Sequence, residues 1–405
     1  MTTGGGEGHD GGIADRQSVR FLWLYALAWA GGAIAYVPFL TLLLPLRVNA
    51  MVAGQAVSVL SYLTVVGAFA ASVGGIFFGW ASDLTGRRIP WILAGLIISS
   101  VALLALSAGT TALQLGTLLV VWQLGLNMML GPLSALAADF VPDQQKGFLG
   151  GLLAFAPAGG AAAGAFVTIP GLAGPEGRFA LVAALTAACV LPLILFGKPR
   201  AVRLSSKHGI AEGNVERVPV ATIRMWIARL AVQLSEAALF AYLLFYFASI
   251  SSGIGEAETA RIFSLLLVAS IPVAMVAGRW SDRTDSAIVP LRITAALAAA
   301  GLAVMAVSST VEWSLAGYVI FGLATPVFLA LHSSQTLRVL PRSDRRGRDL
   351  GVFNLTNTTP SLIVPWLTVA IVPHYGFGPL FWILAGFAGL ACMLLISIRS
   401  LPKAT

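Results

Sequence analysis

The sequence is poor in charge. Asp, Glu, Lys and Arg make up only 10% of its 405 residues, while 58% are hydrophobic. Soluble domains carry roughly 25% charged and 45–50% apolar residues, so a water-soluble fold could not bury this much apolar surface. Histidine and cysteine are scarce too, with four and two copies. Cys189 and Cys392 lie inside apolar runs, where they read as small buried hydrophobes rather than disulfide partners. There is no Gly-Lys-Ser/Thr phosphate loop, no His-Glu-x-x-His and no Gly-x-Ser-x-Gly. Those absences remove the commonest nucleotide, zinc and acyl-transfer sites. No enzymatic chemistry, metal or cofactor is expected.

Long apolar runs are present instead. A helix needs about 20 apolar residues to cross a bilayer. Such runs fall at 21–44, 54–80, 89–109, 112–138, 147–170, 178–197, 222–250, 258–278, 288–309, 313–338, 350–372 and 377–398. They are rich in Ala, Leu and Val without alternation, which argues against a β-barrel. The expected fold class is an all-α membrane protein with twelve transmembrane helices. The 43 glycines suit close helix packing in lipid. They are densest in the fifth run, at Gly150, Gly151, Gly159, Gly160 and Gly164.

The net charge of +8 would suit nucleic acid, but its placement argues otherwise. Basic residues gather in alternate loops: Arg87 and Arg88, Lys146, five between Lys198 and Arg217, Arg279 and Arg283, five between Arg338 and Arg348, and Arg399 and Lys403. The opposite loops carry only Arg47, Arg178 and Arg261. This positive-inside pattern puts both termini in the cytoplasm of a cell (inner) membrane. The expected organisation is a disordered tail (1–20), a six-helix bundle (21–197), a cytoplasmic linker (198–221), a second six-helix bundle (222–398) and a short tail (399–405). The tail lacks the charged start and short apolar core of a signal peptide. The expected partners are a small-molecule substrate, protons and the lipid bilayer, for a monomer that binds no nucleic acid.

One loop signature occurs twice. Gly79-Trp80-Ala81-Ser82-Asp83-Leu84-Thr85-Gly86-Arg87-Arg88 follows the second run, and Gly278-Arg279-Trp280-Ser281-Asp282-Arg283-Thr284 follows the eighth. Pro142, Gly147 and Gly150 after the fourth run match Pro341, Gly347 and Gly351 after the tenth. Duplicated six-helix halves should be related by an axis along the membrane normal. In this arrangement the chain resembles the major facilitator superfamily over nearly its whole length. That family's loop reads Gly-x-x-x-Asp-(Arg/Lys)-x-Gly-Arg-(Arg/Lys). Gly79, Asp83, Gly86, Arg87 and Arg88 match it, and Leu84 departs from it. The second copy keeps Gly278, Asp282 and Arg283. Ala137-Ala138-Asp139-Phe140-Val141-Pro142 and Gly347-Arg348-Asp349-Leu350-Gly351-Val352-Phe353-Asn354 also resemble the sucrose-type and glycoside cation symporters. Pro157-Ala158-Gly159-Gly160 is similar to a drug-antiporter motif, but Ala156 stands where that motif has glycine.

The resemblance implies a secondary transporter, with Gly79, Asp83, Gly86, Arg87, Arg88, Asp139, Asp282 and Arg283 in a gate and conformational latch. On physical grounds Asp83, at a helix end, can accept from the amides of a neighbouring helix N-terminus and pair with an Arg. Arg87 and Arg88 alone would be explained as topology-setting charges. The glycines and Asp83 would not.

Charge inside a bilayer is costly, about 2.5–3.5 kcal/mol for Asp, Lys or Arg at a helix centre on insertion scales. Glu236 is the acid nearest the middle of a run. Arg229, Gln233 and Glu236 are spaced i, i+4, i+7 and so share one helix face. That stripe reads as a proton and substrate site, or alternatively as a static polar network. Tyr36, Gln123, Asn127, His332 and Asn357 are further substrate-binding candidates, because amides bond hydroxyls and rings stack on sugar faces. Interhelical hydrogen bonding is the alternative for each. The expected function is proton-coupled uptake of a sugar or glycoside. The competing expectations are a proton-coupled exporter of amphipathic compounds and a transporter-like receptor without turnover.

Overall fold

A run of apolar residues in lipid must satisfy its backbone amides internally, and a helix does so. In the computed structural model, which describes residues 16–51, 56–200, 217–251, 256–283, 288–339 and 346–398, each predicted run is helical. The helices are α1 (Val19–Pro38), α2 (Leu44–Met51), α3 (Ala56–Thr85), α4 (Ile89–Ala108), α5 (Ala112–Phe140), α6 (Lys146–Leu153), α7 (Phe155–Val167) and α8 (Gly177–Phe196). They continue with α9 (Arg217–Ile250), α10 (Glu256–Arg283), α11 (Val289–Val307), α12 (Val311–Val339), α13 (Arg346–Tyr375) and α14 (Phe377–Ser397). No strand occurs among the described residues.

Fourteen helices make twelve passages because two passages are interrupted. The first runs from α1 through a π-helical turn, Phe39–Leu43, into α2. Pro45 has no N–H to donate back, and Thr41 bonds its hydroxyl to the Val37 carbonyl at 2.6 Å, so the ladder widens there. The passage therefore ends at Met51 rather than near 44. The fifth breaks at Ala154, between α6 and α7, where Pro157 cannot donate to the preceding turn. Eleven passages have the length and hydropathy of a membrane span. The twelfth, α9, is 34 residues long, and Arg229, Gln233 and Glu236 lower its hydropathy.

Three hydrophobic clusters form among the described residues. One joins α1 to α8 through Phe21, Phe39, Trp122, Leu133 and Val190. The other two lie mainly in α9 to α14, one around Phe328 and Leu395 and one around Phe247 and Leu384. The tail expected over 1–20 reaches too far, since α1 begins at Val19 and Gln17 is buried. Gln17 Nε2 donates to the carbonyls of Phe140 (3.2 Å) and Arg200 (3.3 Å), tying the chain start to the end of the first bundle. The expected linker likewise gives way to helix at Arg217. Residues 1–15, most of that linker and 399–405 lie outside the described residues.

The bundles meet along two seams, α3 against α13 and α6 against α10. Both run from the end bearing the basic loops. At Gly79 a Cβ would overlap the Gly347 carbonyl, and at Gly278 it would overlap the Gly147 carbonyl. One turn deeper, a Cβ on Gly351 would come within 2.6 Å of the Gly75 oxygen, and one on Gly151 within 3.0 Å of the Ala274 oxygen. Only glycine permits this approach of helix backbones. The repeat thus aligns Gly351 with Gly151, not with Gly150 as the sequence spacing suggested. Gly150 instead faces Ser334 and Leu331.

Candidate functional site

Glycine seams close one end of the interface and leave the middle hollow. A cavity of about 70 Å³ lies between the bundles, lined by Tyr25 and Trp29 of α1, Ser134 of α5, Arg229 of α9, Ser333 of α12, and Asn354 and Asn357 of α13, among others. Arg229, Gln233 and Glu236 stand in register on α9, as their spacing requires.

The three side chains are partnered unequally. Arg229 Nε donates to Thr356 Oγ1 (3.0 Å), Nη1 to Ser333 Oγ (2.9 Å) and Nη2 to Asn357 Oδ1 (3.3 Å). Gln233 Nε2 makes a long 3.4 Å contact to Glu236 Oε2, while Gln233 Oε1 is buried with no partner. Among the described ion pairs none joins Arg229 to Glu236. The two act on each other through space, and Tyr36 of α1 lies within electrostatic range of both. Tyr36 is 38% exposed although it sits within a helix. Of the α9 stripe only Arg229 lines the cavity, and Gln233, Glu236 and Tyr36 of α1 stand beyond its lining.

The remaining binding candidates separate. Asn357 lies in the cavity and bonds Asn354 and Arg229. Gln123 and Asn127 are buried at 7% and 4% exposure, and Asn127 Nδ2 donates to the Gln123 carbonyl at 2.9 Å. They pack against α3, where a Cβ on Gly75 would sit 3.4 Å from Asn127 Oδ1 and 3.7 Å from Asn354 Nδ2. Asn127 and Asn354 thus meet at Gly75, but neither Asn127 nor Gln123 is among the residues lining the cavity. His332 is fully buried. Its Nε2 donates to the Met225 carbonyl and its Nδ1 faces Thr336 Oγ1, both at 3.0 Å. Both ring nitrogens are used within the second bundle, which leaves His332 no atom for a substrate.

At the basic end the acids meet helix N-termini. Asp83 accepts from the amides of Gly347 (2.9 Å) and Arg348 (3.0 Å) at the start of α13. Asp282 accepts from the amides of Gly147 (2.8 Å) and Phe148 (2.6 Å) at the start of α6. Each bond crosses from one bundle to the other, and the second repeats the geometry of the first. Orphan amides and the positive helix end both favour a carboxylate there. Arg88 is buried and pairs with Asp83 (2.7 Å) and Asp139 (2.9 Å), all three within the first bundle. Gly86 has φ +61° and an open surround, so the turn itself requires glycine. Arg87 and Arg283 are exposed and take no described part in these contacts between the bundles. Sequence reasoning missed Arg279, whose guanidinium stacks 5.1 Å from the Phe148 ring across the second seam. It also missed Ser333 and Thr356 around Arg229, because small hydroxyls within helices carry no signal of their own.

The sequence pattern of the Major Facilitator Superfamily matches residues 21–344, with a second, overlapping match over 225–405. The chain belongs to the major facilitator superfamily. It is accordingly a multi-pass membrane transporter and not an enzyme. Solved structures of this superfamily share the fold at low identity. The proton:xylose symporter XylE is 15% identical, with 93% of this chain and 95% of that chain covered and a TM-score of 0.72. FucP, in the outward conformation, is 13% identical over 95% and 99% of the two chains, with a TM-score of 0.72. The human organic anion transporter MFSD10 is 14% identical over 93% and 99%, with a TM-score of 0.70. Among curated proteins none matches the sequence. In this superfamily member a cavity lies between the two bundles, with the basic end shut.

Proposed function

We propose that this transporter is a proton-coupled symporter that takes up a small hydroxyl-rich solute, a sugar or glycoside, by alternating access. It would work as a monomer in the inner cell membrane with its basic end in the cytoplasm, so that the closed seams make this an outward-facing state. The observation that carries the reading is Glu236, a carboxyl at membrane depth beside the buried, unpartnered amide oxygen of Gln233 and two turns along α9 from Arg229, which lines the cavity. Burial disfavours a carboxylate's charged form and a nearby guanidinium favours it. Both influences change when the cavity opens to the other side, so the group can load a proton in one state and release it in the next. The amides of Gln233, Asn354 and Asn357 and the rings of Trp29 and Tyr36 suit hydroxyls and apolar sugar faces. Two of the structural relatives, XylE and FucP, are described as proton symporters of xylose and fucose.

Glu236→Gln tests this. The amide mimics the protonated acid in shape, so accumulation driven by a pH gradient should vanish in liposomes while exchange of solute for solute persists. Accumulation by Glu236→Gln against the solute gradient would place the proton elsewhere, with Asp139 next in order. Loss of both activities in a folded protein would make Glu236 a solute ligand.

A further inference from the structure

Arg229 is a cation at membrane depth surrounded by neutral acceptors. Its three partners are already oriented toward it. The Thr356 hydroxyl donates to the Phe353 carbonyl (2.7 Å), the Ser333 hydroxyl to the Leu329 carbonyl (2.9 Å), and the Asn357 amide to Asn354 Oδ1. Each committed donor leaves its oxygen lone pairs for the guanidinium. The cradle fixes the position of the charge without neutralising it. Guanidinium has five N–H donors, and the described bonds use one on each nitrogen. One N–H on each terminal nitrogen is left without a described acceptor, and Arg229 lines the cavity.

A buried cation without a counter-ion is costly, and the nearest candidate inside the protein is a poor one. Glu236 stands seven residues on, about 10 Å along the helix axis at 1.5 Å per residue, and no ion pair forms. Tyr36 of α1 and Tyr318 of α12 also lie within electrostatic range of Glu236, while Tyr36 and His332 do so for Arg229. Tyrosine and histidine supply no negative charge in their neutral forms, so once Glu236 takes up a proton the Arg229 charge facing the cavity has no anion near it.

We infer that the solute carries a carboxylate that docks on Arg229, so that the substrate class is a polyhydroxylated monocarboxylate, an acid sugar rather than a neutral one. This rests on reading the cavity as the solute and proton site. The carboxylate would take the free edge of the guanidinium, a charge-assisted pairing that is stronger than a neutral hydrogen bond. The hydroxylated remainder would meet the amides of Asn354 and Asn357, which line the cavity beside Arg229. One anion entering with one proton on Glu236 moves no net charge. A neutral sugar entering with one proton moves one.

The experiment measures uptake of gluconate and of glucose by the purified full-length protein in liposomes, with a pH gradient or a potassium–valinomycin potential imposed separately. Gluconate should enter under the pH gradient and ignore the potential, and excess glucose should not compete. Gluconate should bind Arg229→Gln about 10- to 100-fold more weakly, as expected for losing a charged hydrogen-bond partner. Arg229→Lys, which keeps the charge, should recover part of that loss. Glucose uptake that responds to the potential, with gluconate ignored, would overturn the acid and leave the sugar symporter standing. If neither compound enters while a lipophilic cation does, the inference and the proposed function both fall. The gradient measurement uses the unaltered protein, so it decides the matter even if the Arg229 variants do not fold.

Discussion

Replacing Asp83 by Asn separates the latch from the fold. The Asp83 side chain is 3% exposed and has two sets of partners. Arg88 belongs to the same bundle and would stay with Asp83 whether the basic end is open or shut. The amides of Gly347 and Arg348 belong to the other bundle, so opening that end would break their bonds. Asn retains one oxygen and can accept one amide, but it carries no charge to meet the start of α13. A hydrogen bond to a charged group contributes about 1.5–3 kcal/mol net, so losing one and weakening the other should shift the closed-to-open ratio about 10- to 150-fold, at about 1.4 kcal/mol per tenfold. Asp282→Asn should do the same at the second seam, because its two amide bonds repeat the first set. Both substitutions bias one equilibrium from sites without shared partners, so their free energies should add, giving about 3–6 kcal/mol for the double variant. The assay is maleimide labelling of a cysteine placed at Leu350, which lines the inner part of the cavity, after Cys189 and Cys392 are replaced. In membranes presenting the basic end, labelling should speed up with each substitution and most with both. Labelling of Asp83→Asn at the wild-type rate in a folded protein would refute the latch. A double variant no faster than either single one would refute the claim that both seams close the same gate.

Gly147→Ala should disfavour the closed basic end, because its Cβ would overlap the Gly278 carbonyl and crowd Asp282; overpacking of this kind costs about 1–3 kcal/mol. Distances between spin labels across that end should lengthen, while Gly386→Ala, which meets open space, should leave them unchanged. His332→Phe should cost about 0.5–1.5 kcal/mol of stability by removing the bond from Nε2 to the Met225 carbonyl, read as a lower melting temperature, with solute affinity unchanged. An epitope at residue 210 should be reached by antibody only after cells are permeabilised, since the basic loops dictate that side; labelling of intact cells would invert the topology.

The sequence by itself determined the class, the number of passages and the repeat. Runs of about 20 apolar residues in lipid have helix as their available state, and a duplicated loop signature identifies duplicated halves. It also determined that Arg229, Gln233 and Glu236 share a face, because helical periodicity is a local rule. What those residues face was decided only by the packing of two bundles. Asp83 and the Gly347 amide are 264 residues apart, and nothing local in either segment says which helix start the carboxylate will meet. His332 and Glu236 are alike in sequence, each an ionisable group within an apolar run. Tertiary structure sends one into the core, where both ring nitrogens find partners, and leaves the other half-buried with only a long contact to Gln233. The glycines show the same division. Their abundance predicted close approach, but which carbonyl lies against Gly79 or Gly147 depends on how whole helices cross, and that is set by every contact along both seams at once.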